Sequence, residues 1–420
     1  VVFEELSDLK EHYLRCVRCG QCRSVCPVFE EVRNETAAPR SKVFLAHMLS
    51  SGELRPCPEA AAHFSRCILC QACTRECPSA VPVHKIILAA RSMLAREHPS
   101  RIRATIFREI WTRPALLKLA AGFVRCSQSL GLVKIGQACG LLPPAFSLPG
   151  RLPRRPALSS LPEITPAAGK LTARLGYFLG CSTNYLYPEI ARSTVSVLSQ
   201  LGCEVVLPQT LKCCGLPQLE SGELEAVAPM VHDNLATFKR LGVNTIFSDC
   251  ASCTATLKEL QVQQLFSGIE ILDLSGLLLD LLDNYNSGIK ELNRVATYHD
   301  PCHLAGAQGI TLSPRQLLRR TGVEFREMKD AGNCCGGGGT FAIYHYDLSM
   351  KILSKKIKSI EETGADTVAT FCPTCIMQLR HGLAKQKLAI EVAHPVQLLA
   401  QSLKTGLNTK KPYDLAGSKE

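Results

Sequence analysis

The sequence lacks any run of about 18 apolar residues, the length that a bilayer-spanning helix requires. Its greasiest stretch, residues 115–146, is interrupted by Lys118, Arg125 and Lys134, so a spanning helix is not expected. Aromatic residues are scarce, at 6% with one tryptophan, Trp111, and no Arg/Lys stripe is interleaved with them. A nucleic-acid interface is therefore not expected, although the formal charge is +11. No G-x-G-x-x-G turn follows an expected strand, which argues against a dinucleotide site on this chain. No signal-like segment opens the sequence, and because residue one is Val1 the question of an upstream leader stays open.

What the chain has in excess is cysteine, 22 in 420 residues. A secreted disulfide framework suits short chains without a core. This chain is long enough for two or three domains, and with 46% hydrophobic and 20% charged residues it reads as soluble and globular. Cysteines clustered at C-x2-C spacing point instead to metal thiolates in a reducing, cytoplasmic setting. A cluster held by four thiolates carries about −2, so several would bring the net charge close to neutral.

Two complete C-x2-C-x2-C-x3-C-P runs lie near the start: Cys16, Cys19, Cys22, Cys26-Pro27, and Cys67, Cys70, Cys73, Cys77-Pro78. Three cysteines two residues apart wrap one face of a cubane, and the displaced fourth ligates the neighbouring cluster. The expected sets are Cys16, Cys19, Cys22 and Cys77 for one [4Fe-4S] cubane, and Cys67, Cys70, Cys73 and Cys26 for the other. Structural zinc, the rival, takes two separated pairs and needs neither the third close cysteine nor the proline. Helical patterns surround the runs: Phe3, Leu6, Leu9 and Tyr13 before them, a helix from Pro39 to about Leu49 between them, and Val83, Ile86, Ile87, Ala90 and Leu94 after them. Cys57, between two prolines, fits no motif.

Residues 100–170 read as a linker. Mixed apolar and basic helical patterning to about residue 140 could serve a partner subunit, an anionic membrane surface, or packing on the ferredoxin module. Prolines crowd residues 141–167 (Pro143, Pro144, Pro149, Pro153, Pro156, Pro162 and Pro166), as in a semi-rigid tether. Cys126 and Cys139 here have no partner at metal spacing, and neither does Cys203 further on.

The remainder is a tandem duplication. Cys181, Cys213-Cys214-Gly215 and Cys250-Ala251-Ser252-Cys253 recur as Cys302, Cys334-Cys335-Gly336 and Cys372-Pro373-Thr374-Cys375, offset by 121 or 122 positions. Short β-rich runs precede the single cysteine (Leu175–Leu179, Val295–Tyr298) and the C-x2-C (Thr245–Phe247, Thr367–Phe371). Another strand is expected at Cys203–Leu207 and a helix at Glu189–Leu201. Strands alternating with helices imply parallel α/β units with the cysteines at the carboxyl ends of strands, where helix N-termini favour anions. Each C-x2-C could alternatively be a thioredoxin-like dithiol. The run Gly336 to Gly339 reads either as a close approach of backbone amides to sulfur or as a plain flexible loop. His299 and His303, flanking Cys302, are expected to be framework residues rather than ligands.

On these motifs the first module resembles the α-helical ferredoxin domains found in the iron–sulfur subunit of succinate dehydrogenase and in heterodisulfide reductase. The five-cysteine layout is similar to the CCG domain of heterodisulfide reductase. The whole arrangement resembles the iron–sulfur subunit of glycolate oxidase and D-lactate dehydrogenase. Related families are the lactate-utilisation proteins, the iron–sulfur subunit of anaerobic glycerol-3-phosphate dehydrogenase and the CCG-containing subunits of heterodisulfide reductase. The resemblance implies an α-helical two-[4Fe-4S] ferredoxin domain (1–99), a linker (100–170), two tandem α/β CCG domains (171–290 and 291–405) and a polar tail (406–420). It also implies one or two further clusters, of noncubane [4Fe-4S] type in the heterodisulfide reductases, on Cys181, Cys213, Cys214, Cys250, Cys253 and on Cys302, Cys334, Cys335, Cys372, Cys375. The implied activity is electron relay from an FAD partner subunit that oxidises glycolate or D-lactate to an electron-transferring flavoprotein or a quinone. Membrane association would then come through partners. The implied alternatives are disulfide reduction at a CCG cluster and the glycerol-3-phosphate dehydrogenase role. Several glycolate oxidase relatives have decayed CCG motifs; this chain keeps all ten cysteines.

Overall fold

The structure is a computed structural model and describes residues 4–147, 150–264, 266–285 and 289–403. Phe3, Pro149 and the tail 406–420 lie outside the described residues. The first module is helical. Prolines at the first helical position, where a missing N–H costs nothing, open Pro27–Val32, Pro39–Ser51 and Pro58–Ser65. The Pro39–Ser51 helix stops at Gly52, which takes the left-handed conformation. It packs with Pro58–Ser65 and Val83–Glu97 around Leu9, Tyr13, Val43, Phe64, Ile86 and Leu94. The expected first helix is shorter than its apolar spacing suggests, spanning Lys10–Leu14, yet Leu6, Leu9 and Tyr13 are all buried.

Two parallel sheets follow. The first contains β1 (Ile164–Thr165), β2 (Ala173–Tyr177), β3 (Cys203–Val206), β4 (Thr245–Ser248) and β5 (Glu270–Asp273), in the order β1-β3-β2-β4-β5. Only β1 runs antiparallel, pairing Ile164 with Val206. The second contains β6 (Val295–Tyr298), β7 (Glu324–Phe325), β8 (Thr367–Ala369) and β9 (Glu391–Ala393), in the order β7-β6-β8-β9, all parallel. Removing β1 leaves one topology used twice. The two copies share one apolar core: Leu198 of helix Pro188–Gln200 and Leu398 of helix Pro395–Ser402 belong to the same buried cluster.

The residues between module and sheets pack at their near end, around Phe107. Phe107 is buried, its carbonyl accepts from Gln218 Nε2 at 3.2 Å, and Arg103 and Arg108 both pair with the buried Glu223 of the first copy. Beyond them, helices Pro114–Ser129 and Leu132–Ala138 form a bent pair in which no residue is buried. No single helix among the described residues is long and apolar enough to cross a membrane.

The helical module is fastened to both copies. Val28 and Ile68 pack with Phe341 and Ile352 of the second. Arg91 donates to the carbonyls of Phe64, Ser65 and Cys67 within its own module and to Glu220 of the first copy at 3.0 Å. A cavity of about 430 Å³ lies at this three-way junction, lined by Cys67, Arg91, Glu220 and Phe341 among others. Replacing Arg91 with alanine strands these acceptors, and a loss of about 3 kcal/mol in stability is expected from denaturation of the anaerobically purified protein.

Glu220 is buried beside Arg91, and desolvation pushes its carboxyl up to about 7 against the opposing pull of the guanidinium. An acid with a raised folded-state pKa adds stability that is complete below about pH 4.5 and is lost as pH rises through about 7. Glu220→Gln should therefore flatten stability between pH 5 and 8, leaving the variant more stable at pH 8 by about 3 kcal/mol in chemical denaturation. Equal pH slopes for variant and wild type would contradict the assignment.

Candidate metal centres

The two ferredoxin-type runs wrap two small cavities. Cys16, Cys19, Cys22 and Cys77 line one; Cys26, Cys67, Cys70 and Cys73 line the other. In each run the fourth cysteine thus stands with the three of the other run. The two loops share a backbone trick: Arg18 and Gly20 in the first, and Leu69 and Gln71 in the second, adopt positive φ at matching positions. Curling the chain this way turns successive N–H groups inward, the concavity that suits an anion. Amides already point at sulfur: Leu69 N–H at Cys67 Sγ, Phe29 N–H at Cys26 Sγ and Val81 N–H at Cys77 Sγ, each 3.4 Å. A cation accompanies each set, Arg40 beside Cys16 and Cys22, and buried Lys42 beside Cys26, Cys67 and Cys73.

In the α/β copies the single cysteines lie just past β2 and β6, and each C-x2-C just past β4 and β8. Cys250 and Cys372 are the N-caps of helices Ala251–Val262 and Pro373–Lys385, whose free N–H groups favour negative charge. Gly215 and Gly336 hold φ of +96° and +82°, and a Cβ there would lie 2.8 Å from Val227 Cγ1 or 2.7 Å from the Ser349 carbonyl. Only glycine completes this turn. Gly339, with φ +53°, passes so close to Glu220 that a Cβ would meet its Oε2 at 2.1 Å, so the glycine run is a docking surface for the junction as well as a turn.

All ten cysteines of the two copies form one series of neighbouring free thiols. The series runs Cys181, Cys213, Cys214, Cys253, Cys250, then across the copy boundary to Cys372, Cys375, Cys335, Cys334 and Cys302. Neighbouring thiols hold Cys214, Cys335 and Cys372 well below the ordinary thiol value. Thiol neighbours first, and burial after them, push Cys181, Cys253, Cys302 and Cys375 above it. Crowded, dry thiols of which only some are favoured as thiolates suit a bound cation or cluster that ionises the whole set. The copy boundary is tied by Ala251 N–H to the Phe371 carbonyl at 3.0 Å and by His394 Nε2 to the Asp249 carbonyl at 2.9 Å.

Spatial order differs from chain order. Cys22 faces Cys73, and Cys70 faces Cys334 and Cys302, so the helical module abuts the second copy's set rather than the first's. Sequence spacing carries no signal for that. His303 is engaged as a framework residue, its Nδ1 2.8 Å from Ser252 Oγ, which is in turn 3.6 Å from Cys372 Sγ. His299 is different: one ring nitrogen lies within 4.8 Å of both Cys335 Sγ and Cys375 Sγ. Trp111 comes from the expected linker and reaches Cys181, a contact with no sequence signature. Of the unassigned cysteines, Cys57 caps helix Pro58–Ser65 through Ala60 N–H, Cys203 is buried in β3, and Cys126 and Cys139 are exposed.

Comparison with known proteins matches this geometry. Residues 12–81 match the 4Fe-4S dicluster domain, and residues 175–258 and 296–380 each match the cysteine-rich CCG domain. A probable glycolate oxidase iron–sulfur subunit of Bacillus subtilis is 28% identical, over 95% of this chain and 96% of its own. One subunit of the CoM/CoB fumarate reductase of Methanothermobacter marburgensis is 29% identical, over 94% and 73%. One subunit of the dihydromethanophenazine:CoB–CoM heterodisulfide reductase of Methanosarcina acetivorans is 25% identical, over 92% and 93%. A helical dicluster module followed by two parallel α/β units with CCG turns thus places this chain among the iron–sulfur proteins that join a 4Fe-4S dicluster domain to two CCG domains, a family that supplies subunits of oxidoreductases.

Proposed function

We propose that this chain is the iron–sulfur electron-transfer subunit of a flavin-dependent 2-hydroxy-acid oxidoreductase acting on glycolate or D-lactate. A partner subunit carries the FAD, and the final acceptor is an electron-transferring flavoprotein or a quinone. The observation that carries this is the continuous adjacency of the four cysteine sets, linked through Cys22 and Cys73, Cys70 and Cys334, and Cys372 and Cys250. Clusters in such sets supply one-electron carriers at close spacing. The assigned ligands are Cys16, Cys19, Cys22 and Cys77; Cys67, Cys70, Cys73 and Cys26; and the five cysteines of each copy. The chain's own part is to fix the spacing, exclude water and set the local charge. The match to the Bacillus protein over nearly both full lengths supports the hydroxy-acid assignment.

A second reading is disulfide reduction at the copy boundary. It is favoured by the retention of all ten cysteines and the direct apposition of Cys250 and Cys372. Two relatives carry names of CoM/CoB-dependent enzymes.

Anaerobic purification of the native complex tests the proposal. A co-purifying FAD protein and about 16 iron per chain are expected if all four sets are filled. In Cys70→Ser, adding the hydroxy acid should reduce only the clusters on the flavin's side of that position, read by electron paramagnetic resonance. Absence of a flavoprotein would overturn the hydroxy-acid reading, and disulfide turnover by the isolated chain would establish the second one. Zinc without iron would sink both.

A further inference from the structure

The two α/β copies have matching cysteines and unlike surroundings. At the offset of the single cysteines, His299 occupies the place of Phe178. His299 is 1% exposed, and neither ring nitrogen makes a well-formed hydrogen bond among the described residues, the Ala331 carbonyl being the one backbone acceptor that bears on the ring. A buried imidazole without a well-formed hydrogen bond is costly unless something accepts from it. Besides that carbonyl, the sulfurs of Cys335 and Cys375 lie within 4.8 Å of a ring nitrogen. Phe178, by contrast, is an apolar wall packed among Cys213, Cys214 and Cys250.

A second difference points the same way. At the offset of the C-x2-C motifs, Lys356 stands opposite Asn234. Both hold the loop before the adjacent cysteines through backbone carbonyls. Asn234 bonds to Lys212 and Cys213, and Lys356 bonds to Asp330 and Ala331. Lys356 is 2% exposed and faces Cys335 and Cys334. The first copy also buries a carboxyl, Asp249, where the second copy has Phe371, and it lies between Cys250 and Cys372 and so bears on both sets. The second copy's own acid, Asp300, is paired at both oxygens by Arg315, at 2.9 and 2.8 Å.

We propose that His299 and Lys356 make the second-copy site the more positive in reduction potential of the two CCG sites, with His299 donating a hydrogen bond toward the sulfur held by Cys335 and Cys375. Donors to sulfur and nearby positive charge both favour the reduced, more negative cluster. Electrons arriving at the pair then settle on the second copy, whose cysteines face those of the helical module, and the first copy is the uphill site. His299 is a positioning and tuning residue in this scheme, not a ligand. The proposal rests on the reading that both CCG sets hold iron–sulfur clusters, so iron is counted first.

The test is a redox titration of the anaerobically purified full chain, monitored by electron paramagnetic resonance, on wild type, His299→Phe, His299→Gln and Lys356→Asn. His299→Phe should lower the equilibrium constant for reducing one CCG cluster about tenfold, a shift of about 59 mV for one electron, and leave the other cluster unmoved. His299→Gln, which keeps a donor, should restore most of the shift, and Lys356→Asn should lower the same signal. An unchanged titration in His299→Phe with iron intact would overturn the proposal. Loss of the second-copy iron in His299→Phe would also overturn it by making the residue a ligand. Absence of iron from the CCG sets of wild type would instead defeat the underlying reading.

A separate observation carries a second inference. Between residues 110 and 162 the sequence contains no acid and seven Lys or Arg, from Arg113 to Arg155. In helix Pro114–Ser129, Ala115, Leu119 and Phe123 repeat every four residues on one stripe, with Leu119 69% and Phe123 75% exposed. Leu130 and Ile135 continue the exposed apolar surface. Apolar residues flanked only by cations match an anionic bilayer surface better than they match this chain's own exterior. We infer that this helix pair lies in the headgroup region of an anionic membrane and holds the protein there without spanning it. Flotation with phosphatidylglycerol vesicles should recover the full chain, and phosphatidylcholine vesicles should bind it at least tenfold less. Leu119→Glu with Phe123→Glu should abolish recovery while iron content is kept. Failure to float with phosphatidylglycerol at low salt would overturn the inference, as would unchanged recovery in the double variant.

Discussion

Negative sulfur in a dry interior is the constraint on which the rest of this structure depends. Eighteen cysteines at metal spacing lie in four groups, and in the two α/β copies most of them are buried. A thiolate there needs donors or cations within reach, because water is not at hand to solvate it. The fold meets that demand in several ways at once: left-handed residues in the ferredoxin-type loops, helix N-termini at Cys250 and Cys372, and buried Lys42 and Lys356. The excess of basic residues that at first suggests a nucleic-acid partner is in part turned inward, toward sulfur.

The same constraint explains why the modules are not beads on a string. Arg91 directs its donors at carbonyls of its own module and of the first copy, and the glycine run of the second copy closes against Glu220. The expected linker takes part too, with Trp111 lying against Cys181 and Phe107 buried under Gln218.

Much of this was legible in the sequence because metal spacing and strand periodicity are local signals. The C-x2-C runs, the duplicated register and the strands before Cys302 and Cys372 could all be read residue by residue, and the helix expected from Glu189 is found at Pro188–Gln200. What was not legible depends on faces meeting after folding. The docking of Cys70 on Cys334, the contact of Cys250 with Cys372 and the packing of residues 100–111 onto the first copy join positions far apart in the chain. β1 gave no signal because two residues in a proline-rich stretch show no periodicity. His299 was visible beside Cys302, but only burial without a well-formed hydrogen bond distinguishes it from His303.

The contact between Cys250 and Cys372 has a further consequence, for biogenesis. Both cysteines are buried, Cys372 in the core that the two copies share and Cys250 in the adjoining core of the first copy, so with the boundary closed neither is open to an incoming metal. Metal held by these two sets would therefore have to enter while the boundary between the copies is open. In that sense the duplicated fold would act as a clasp over its own loading port.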